Sequence, residues 1–89
     1  MSELYVIVKG DVTGVGFRAW VAAQANALGL TGWVRNKGIG VVEVVFQGKP
    51  SVLGKMLGLI GQGPGGVIIE TVEQFWGVPS EVFDKFTVV

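Results

Sequence analysis

The chain contains no cysteine and no histidine among its 89 residues. That removes disulfides, cysteine nucleophiles, imidazole bases, phosphohistidine chemistry and His/Cys zinc sites. Any chemistry must come from Arg, Lys, Asn, Asp, Glu, Ser, Thr, Tyr, backbone groups or water. Charge is also scarce, at 16% of residues against roughly 25% in ordinary domains. The 7 Lys+Arg balance the 7 Asp+Glu, for a formal net charge of +0. A general nucleic-acid binder needs a basic excess, so no nucleic-acid partner is expected, although one localised anion site remains open. No apolar run approaches the roughly 20 residues of a membrane span. The opening MSELYVIVKG lacks the basic start and small-residue cleavage site of a signal peptide. The expectation is one small cytoplasmic domain over residues 1–89, a monomer with no membrane partner.

What the chain does have is glycine, 15 residues of it, and the most informative stretch is Gly10–Arg18, GDVTGVGFR. Gly10, Gly14 and Gly16 lie between an apolar strand-like run and a helical run, with Arg18 at the start of the latter. Such glycines let a backbone turn tightly and bring its N–H groups close to a ligand. A helix N-terminus adds unpaired N–H groups and a dipole that favours anions. An arginine there offers a planar fork of donors suited to phosphate. The segment is built to hold a small oxyanion; the plainer alternative is a strand-to-helix turn carrying a surface arginine.

Hydrophobic patterning supplies the rest of the framework. Leu4–Lys9, rich in Val, Ile and Tyr and closed by Gly10, predicts a strand. Phe17–Leu28 predicts a helix with Phe17, Val21, Ala25 and Leu28 on one face and Gly29 as its stop. Thr31–Arg35 and Val41–Gln47 predict two strands joined by a hairpin loop over Asn36–Gly40. In the second, Val42, Val44 and Phe46 take one face and Glu43 and Gln47 the other. Val52–Ile60 keeps helical spacing at Val52, Met56, Leu59 and Ile60, weakened by Gly54 and Gly58. Val67–Trp76 predicts a strand whose apolar phase slips between Ile69 and Val72, the mark of a bulge. Thr87–Val89 adds a short final strand after the Pro79–Asp84 loop. The order βαββαβ predicts an α+β, ferredoxin-like α/β sandwich: an antiparallel sheet with both helices on one face.

GDVTGVGFR, followed by GWVRN at Gly32–Asn36 and then Gly40 with Val41-Val42-Glu43, resembles the acylphosphatase family. The family pattern is roughly G-x-V-Q-G-V-x-F-R and then G-x-V-x-N-x-x-D-G-x-V-E. The later Gly63-Pro64 with Val67, Ile69 and Val72 is similar to the family's entry into its fourth strand. The resemblance runs from about Leu4 to Val88. It implies a metal-independent, cofactor-free hydrolase that splits the carboxyl-phosphate bond of acyl phosphates into carboxylate and inorganic phosphate. Carried over by position, Arg18 binds the phosphoryl group and the backbone N–H groups of Thr13, Gly14, Val15, Gly16 and Phe17 cradle its oxygens. Asn36 orients the attacking water through its side-chain amide. Inorganic phosphate or sulfate should then bind as product or analogue.

The residues suit that assignment chemically. An acyl phosphate carries a good leaving group, and phosphoryl transfer relies mainly on positioning and charge stabilisation. Backbone donors and one guanidinium supply both without histidine. Asn has a donor and an acceptor, enough to hold a water in line with phosphorus; its plainer reading is a left-handed residue at a hairpin end. Arg35 reads as an exposed strand residue, Phe17 as core, and Lys37 as a solvated loop lysine. Trp20, Trp33 and Trp76 read as packing groups, with Trp33 close to the site.

Two departures bear on function. Thr13 stands where the family usually has Gln, so the loop either tightens or loses a side-chain hydrogen bond. Ile39 stands where the family usually has Asp and cannot bond its own backbone. Asp11 puts a carboxylate beside the proposed anion site, harmless if it points to solvent. The alternative to an enzyme is therefore an acylphosphatase-like phosphate-binding module with weak or absent catalysis. A third reading, an RNA platform on the sheet, needs exposed aromatics on central strands and a basic surround; Phe46 on the apolar face and zero net charge oppose it.

Overall fold

In the computed structural model, which describes residues 1–14 and 16–89, seven elements follow one another. They are β1 (Ser2–Asp11), α1 (Phe17–Ala27), β2 (Thr31–Gly38), β3 (Val41–Gly48), α2 (Pro50–Gln62), β4 (Ile68–Gly77) and β5 (Phe86–Val88). The sheet order is β4-β1-β3-β2-β5. β3 runs antiparallel to β1 and β2, and β4 antiparallel to β1. Thus α1 connects two parallel strands with β3 between them, and α2 connects two with β1 between them: interleaved βαβ units. The fifth strand departs from an all-antiparallel expectation. β5 lies parallel to β2, pairing Gly32 with Phe86 and Val34 with Val88, so the sheet is mixed at that edge.

One core explains this arrangement. Alternate residues Leu4, Val6 and Val8 of β1, and Val42, Val44 and Phe46 of β3, are fully buried. Against the same face pack Phe17, Val21 and Ala25 of α1 and Leu53, Met56 and Ile60 of α2. Both helices therefore sit on one face, as period-2 strands and period-3.6 helices require when they share a core. On α2 the buried row is Leu53-Met56-Ile60; of the four residues with helical spacing, Met56 and Ile60 belong to it, while Val52 and Leu59 are half-buried beside it and Leu53 joins it. α1 ends as predicted at Gly29. Gly29 N–H reaches Asn26 O and Leu30 N–H reaches Ala25 O at 2.9 Å, the paired bonds of a left-handed helix cap.

The predicted bulge is present. β1 pairs Lys9 with Thr71 but Gly10 with Ile69, which leaves Glu70 as the extra residue between Ile69 and Val72. The hairpin differs from expectation. β2 continues to Gly38, so the turn contracts to Ile39-Gly40 and Asn36 stands inside the strand.

The second face of the sheet is not simply solvated. Glu43 and Gln47 were expected on the outward side of β3, and they are there, yet they are only 5% and 1% exposed. Gln47 Nε2 donates to Glu3 Oε1 at 2.9 Å and to Glu81 O at 2.6 Å, while its Oε1 accepts from Phe83 N–H at 3.0 Å. These bonds draw the segment after β4 across the sheet.

Candidate active site

The loop after β1 turns at Gly14 and Gly16, whose φ values of 75° and 76° lie in the left-handed region. Side chains avoid that region for steric reasons, and glycine does not. A Cβ at either position would meet nothing within 4 Å. Backbone conformation, rather than crowding, is therefore what calls for glycine here. Gly16 is also the N-cap of α1 and offers no side chain to its first turn. The uncapped N–H groups face the loop end with the positive end of the helix dipole. Val15, the middle residue of the expected cradle, lies outside the described residues.

Arg18 sits in that first turn, half-buried. Its Nη1 donates to the backbone carbonyl of Val89 at 2.9 Å. The partner arrives through β5, whose parallel run along β2 ends beside Val34, with Val89 N–H bonded to Val34 O at 2.8 Å. One guanidinium N–H is thereby held; a guanidinium carries five such donors in all. Sequence reasoning did not find Val89: the contact joins residues 71 apart and depends on strand pairing.

Asn36 pairs with Val42 in the β2–β3 ladder. Val42 faces the helices, so Asn36 occupies the helix-bearing face, two residues beyond buried Val34, and is exposed. The register then slips, pairing Gly38 with Val41, and Lys37 is the bulged residue. No non-glycine among the described residues has a positive φ, which removes the left-handed hairpin-end reading of Asn36. Thr13 bonds across to this hairpin: its Oγ1 accepts the Gly40 N–H at 3.2 Å. Phe17 is core, 1% exposed, and stacks on Trp20 at a 5.7 Å centroid distance. Asp11 is exposed.

The other candidates lie elsewhere. Trp33 pairs with Val45 on the helix-free face, away from Asn36, which corrects the expectation that it lies near the site. Arg35 occupies the same face, 5.1 Å over the Trp33 ring, and pairs with Glu43. Glu43 also accepts a hydrogen bond from Tyr5. Burial raises the Glu43 pKa, but the Tyr5 and Arg35 hydrogen bonds, with the charges of Arg35 and Lys37, outweigh it. The carboxyl ends below its ordinary value. Tyr5 is pushed up to about 12 by burial and by the hydrogen bond to anionic Glu43. Trp76 is 48% exposed at the sheet edge, its Nε1 donating to Gln74, and so packs less than expected.

The left-handed Gly14 and Gly16, Arg18 in the first turn of α1 and Asn36 on β2 therefore lie toward one end of the sheet, where the parallel strands β1 and β2 both finish. The acylphosphatase family model matches residues 4–88, and this decides the family. The chain belongs to the acylphosphatase family. It is 46% identical over 69 residues to an acylphosphatase of Bradyrhizobium diazoefficiens, covering 78% of this chain and 70% of that one. It is 36% identical over 89 residues to one from a Roseiflexus species, covering 100% and 96% respectively. The crystal structure of an acylphosphatase from Bacillus subtilis superposes with a TM-score of 0.95 at 29% identity, covering 100% of this chain and 99% of that one. Membership makes this chain a hydrolase of the acylphosphatase type. No helix among the described residues is long and apolar enough to cross a membrane.

Proposed function

We propose that this protein hydrolyses acyl phosphates in the cytoplasm by holding the phosphoryl group on the loop after β1 and delivering water from Asn36. The observation that carries the reading is the pairing of two left-handed glycines, Gly14 and Gly16, with an uncapped helix N-terminus and Arg18 in its first turn. That set supplies N–H donors and one positive charge without a titrating group. The backbone N–H groups of Thr13, Gly14, Val15, Gly16 and Phe17 take the phosphoryl oxygens, and Arg18 neutralises the charge that spreads over them. The Asn36 amide holds a water opposite the acyl oxygen. As the water oxygen bonds to phosphorus, the phosphorus–acyl oxygen bond breaks and the carboxylate departs with the electron pair. The water proton passes to a phosphate oxygen, since no imidazole is present to take it.

The test is phosphate release from benzoyl phosphate by the parent, Arg18→Gln and Asn36→Ala. Release in the parent, lost in Arg18→Gln and reduced in Asn36→Ala, supports both roles. A folded parent that binds inorganic phosphate through Arg18 but releases none from benzoyl phosphate transfers the conclusion to the binding-module reading.

A further inference from the structure

The bond between Thr13 and Gly40 links the two halves of the proposed site, and it comes from one of the two positions where this chain departs from the family pattern. We propose that Thr13 is a positioning residue, whose hydroxyl locks the hairpin bearing Asn36 against the loop that holds the phosphoryl group. The inference rests on the acyl phosphate reading above and adds a residue to it.

Three observations converge. First, Gly40 is fastened at both of its backbone polar groups. Its carbonyl accepts the Gly10 N–H at 3.0 Å, and its N–H donates to Thr13 Oγ1 at 3.2 Å. Gly10 is the penultimate residue of β1, paired with Ile69 of β4, and Thr13 stands on the loop that follows. Second, the hairpin needs such a fastening. The β2–β3 ladder slips at Lys37, directly after Asn36, and the tip beyond it carries Ile39, 99% exposed, where an Asp would have bonded the turn internally. Third, the far side of the loop's root is closely packed. A Cβ on Gly10 would stand 2.2 Å from the Ile68 carbonyl oxygen, so β1 and β4 are in close backbone contact there. The loop is thus anchored to β4 on one side, and on the other the Thr13 hydroxyl passes that anchorage to the Asn36 hairpin.

Thr suits the task. Its β-branch leaves few χ1 rotamers to freeze, and its oxygen accepts while its own proton stays free to donate. The consequence is kinetic. Asn36 acts on a water that must lie in line with phosphorus, and displacement of such a group by about 1 Å costs up to roughly 100-fold in rate. Phosphate binding depends on the loop and Arg18, and so responds less.

The experiment compares the parent with Thr13→Val, which is isosteric and lacks the hydroxyl, and Thr13→Ser, which keeps it. Benzoyl phosphate hydrolysis is measured together with inhibition by inorganic phosphate and amide hydrogen exchange at Gly40. In Thr13→Val, kcat is expected to fall about tenfold while the phosphate inhibition constant moves less than about twofold. The Gly40 amide should lose protection, and Thr13→Ser should recover both the protection and most of the rate. On an Asn36→Ala background, Thr13→Val should cost little further, because residues that act through one another are non-additive.

The proposal is overturned by unchanged kcat in Thr13→Val, by a rate loss with Gly40 protection intact, by phosphate inhibition weakening as much as the rate, or by full additivity with Asn36→Ala. If Thr13→Val does not fold, the Ser variant decides: it must keep the Gly40 amide protected and kcat within about threefold of the parent. A parent that hydrolyses nothing overturns the acyl phosphate reading itself, which is a different result from an active parent indifferent to Thr13.

Discussion

The two ends of the molecule's polar chemistry are built in opposite ways. On the helix-free face, Arg35, Glu43 and Tyr5 form a side-chain network around a carboxylate that is 5% exposed. Its titrations are displaced, Glu43 downward and Tyr5 up to about 12. At the loop end, the proposed donors are backbone N–H groups, the glycines are left-handed, and the flanking Asp11 and Asn36 are exposed. Perturbed titrations often mark active sites. Here they mark a structural brace, because the proposed reaction needs placed donors and charge rather than a proton poised near neutrality. The brace fastens β1, β2 and β3 side by side, and the site hangs from the ends of the same strands.

The sharpest way to break this comparison is Arg18→Gln. It should reduce benzoyl phosphate turnover by at least about 1,000-fold with the urea midpoint close to the parent's, because the side chain is half-buried and makes one backbone contact. Equal loss of stability and rate would mean the two regions are not separable. Next, Glu43→Ala should do the reverse. It strands the Tyr5 hydroxyl and Arg35, costs about 2 kcal/mol by urea unfolding, and leaves turnover near that of the parent. The sign of its pH dependence follows from the depressed carboxyl: its stabilisation is present above the unfolded value of about 4.3 and is lost as pH falls through the folded one. Glu43→Gln should therefore flatten the acid limb of the stability profile.

A change outside both regions calibrates the pair. Gly54 and Gly58 are exposed on α2, and a Cβ at either meets nothing within 4 Å. Each change to Ala should add about 1 kcal/mol of stability without altering turnover; a drop in rate would show that α2 communicates with the loop. The smallest effect is at high pH. Tyr5 is held in its neutral form, so its contribution is complete below about pH 10 and is lost toward about 12. Tyr5→Phe should remove that alkaline loss, seen as a flatter Tm-against-pH curve.

Much of this was legible in the residues. Alternation on β3 assigned Val42, Val44 and Phe46 to the core, the phase slip between Ile69 and Val72 pointed to a bulge in that interval, which the register places at Glu70, and Gly29 marked the end of α1. Each is a local signal, carried by side-chain period or by a residue's allowed backbone angles. The loop glycines and Arg18 were legible for the same reason. The reach of β2 through Asn36 was not. Gly38 and Gly40 mark a turn somewhere between the strands, while pairing with β3 decides where the ladder stops.

The sequence by itself thus determined which elements form, which face of each is apolar, and that a glycine turn precedes α1, because those properties depend on residues a few positions apart. Only the tertiary structure decided that Glu43 and Gln47 are buried, that β5 runs parallel to β2 and brings Val89 to Arg18, and that Thr13 fastens Gly40. Those contacts join residues 27 to 71 apart. They come about when the strands close around one core, and neither periodicity nor propensity records which distant groups will then meet.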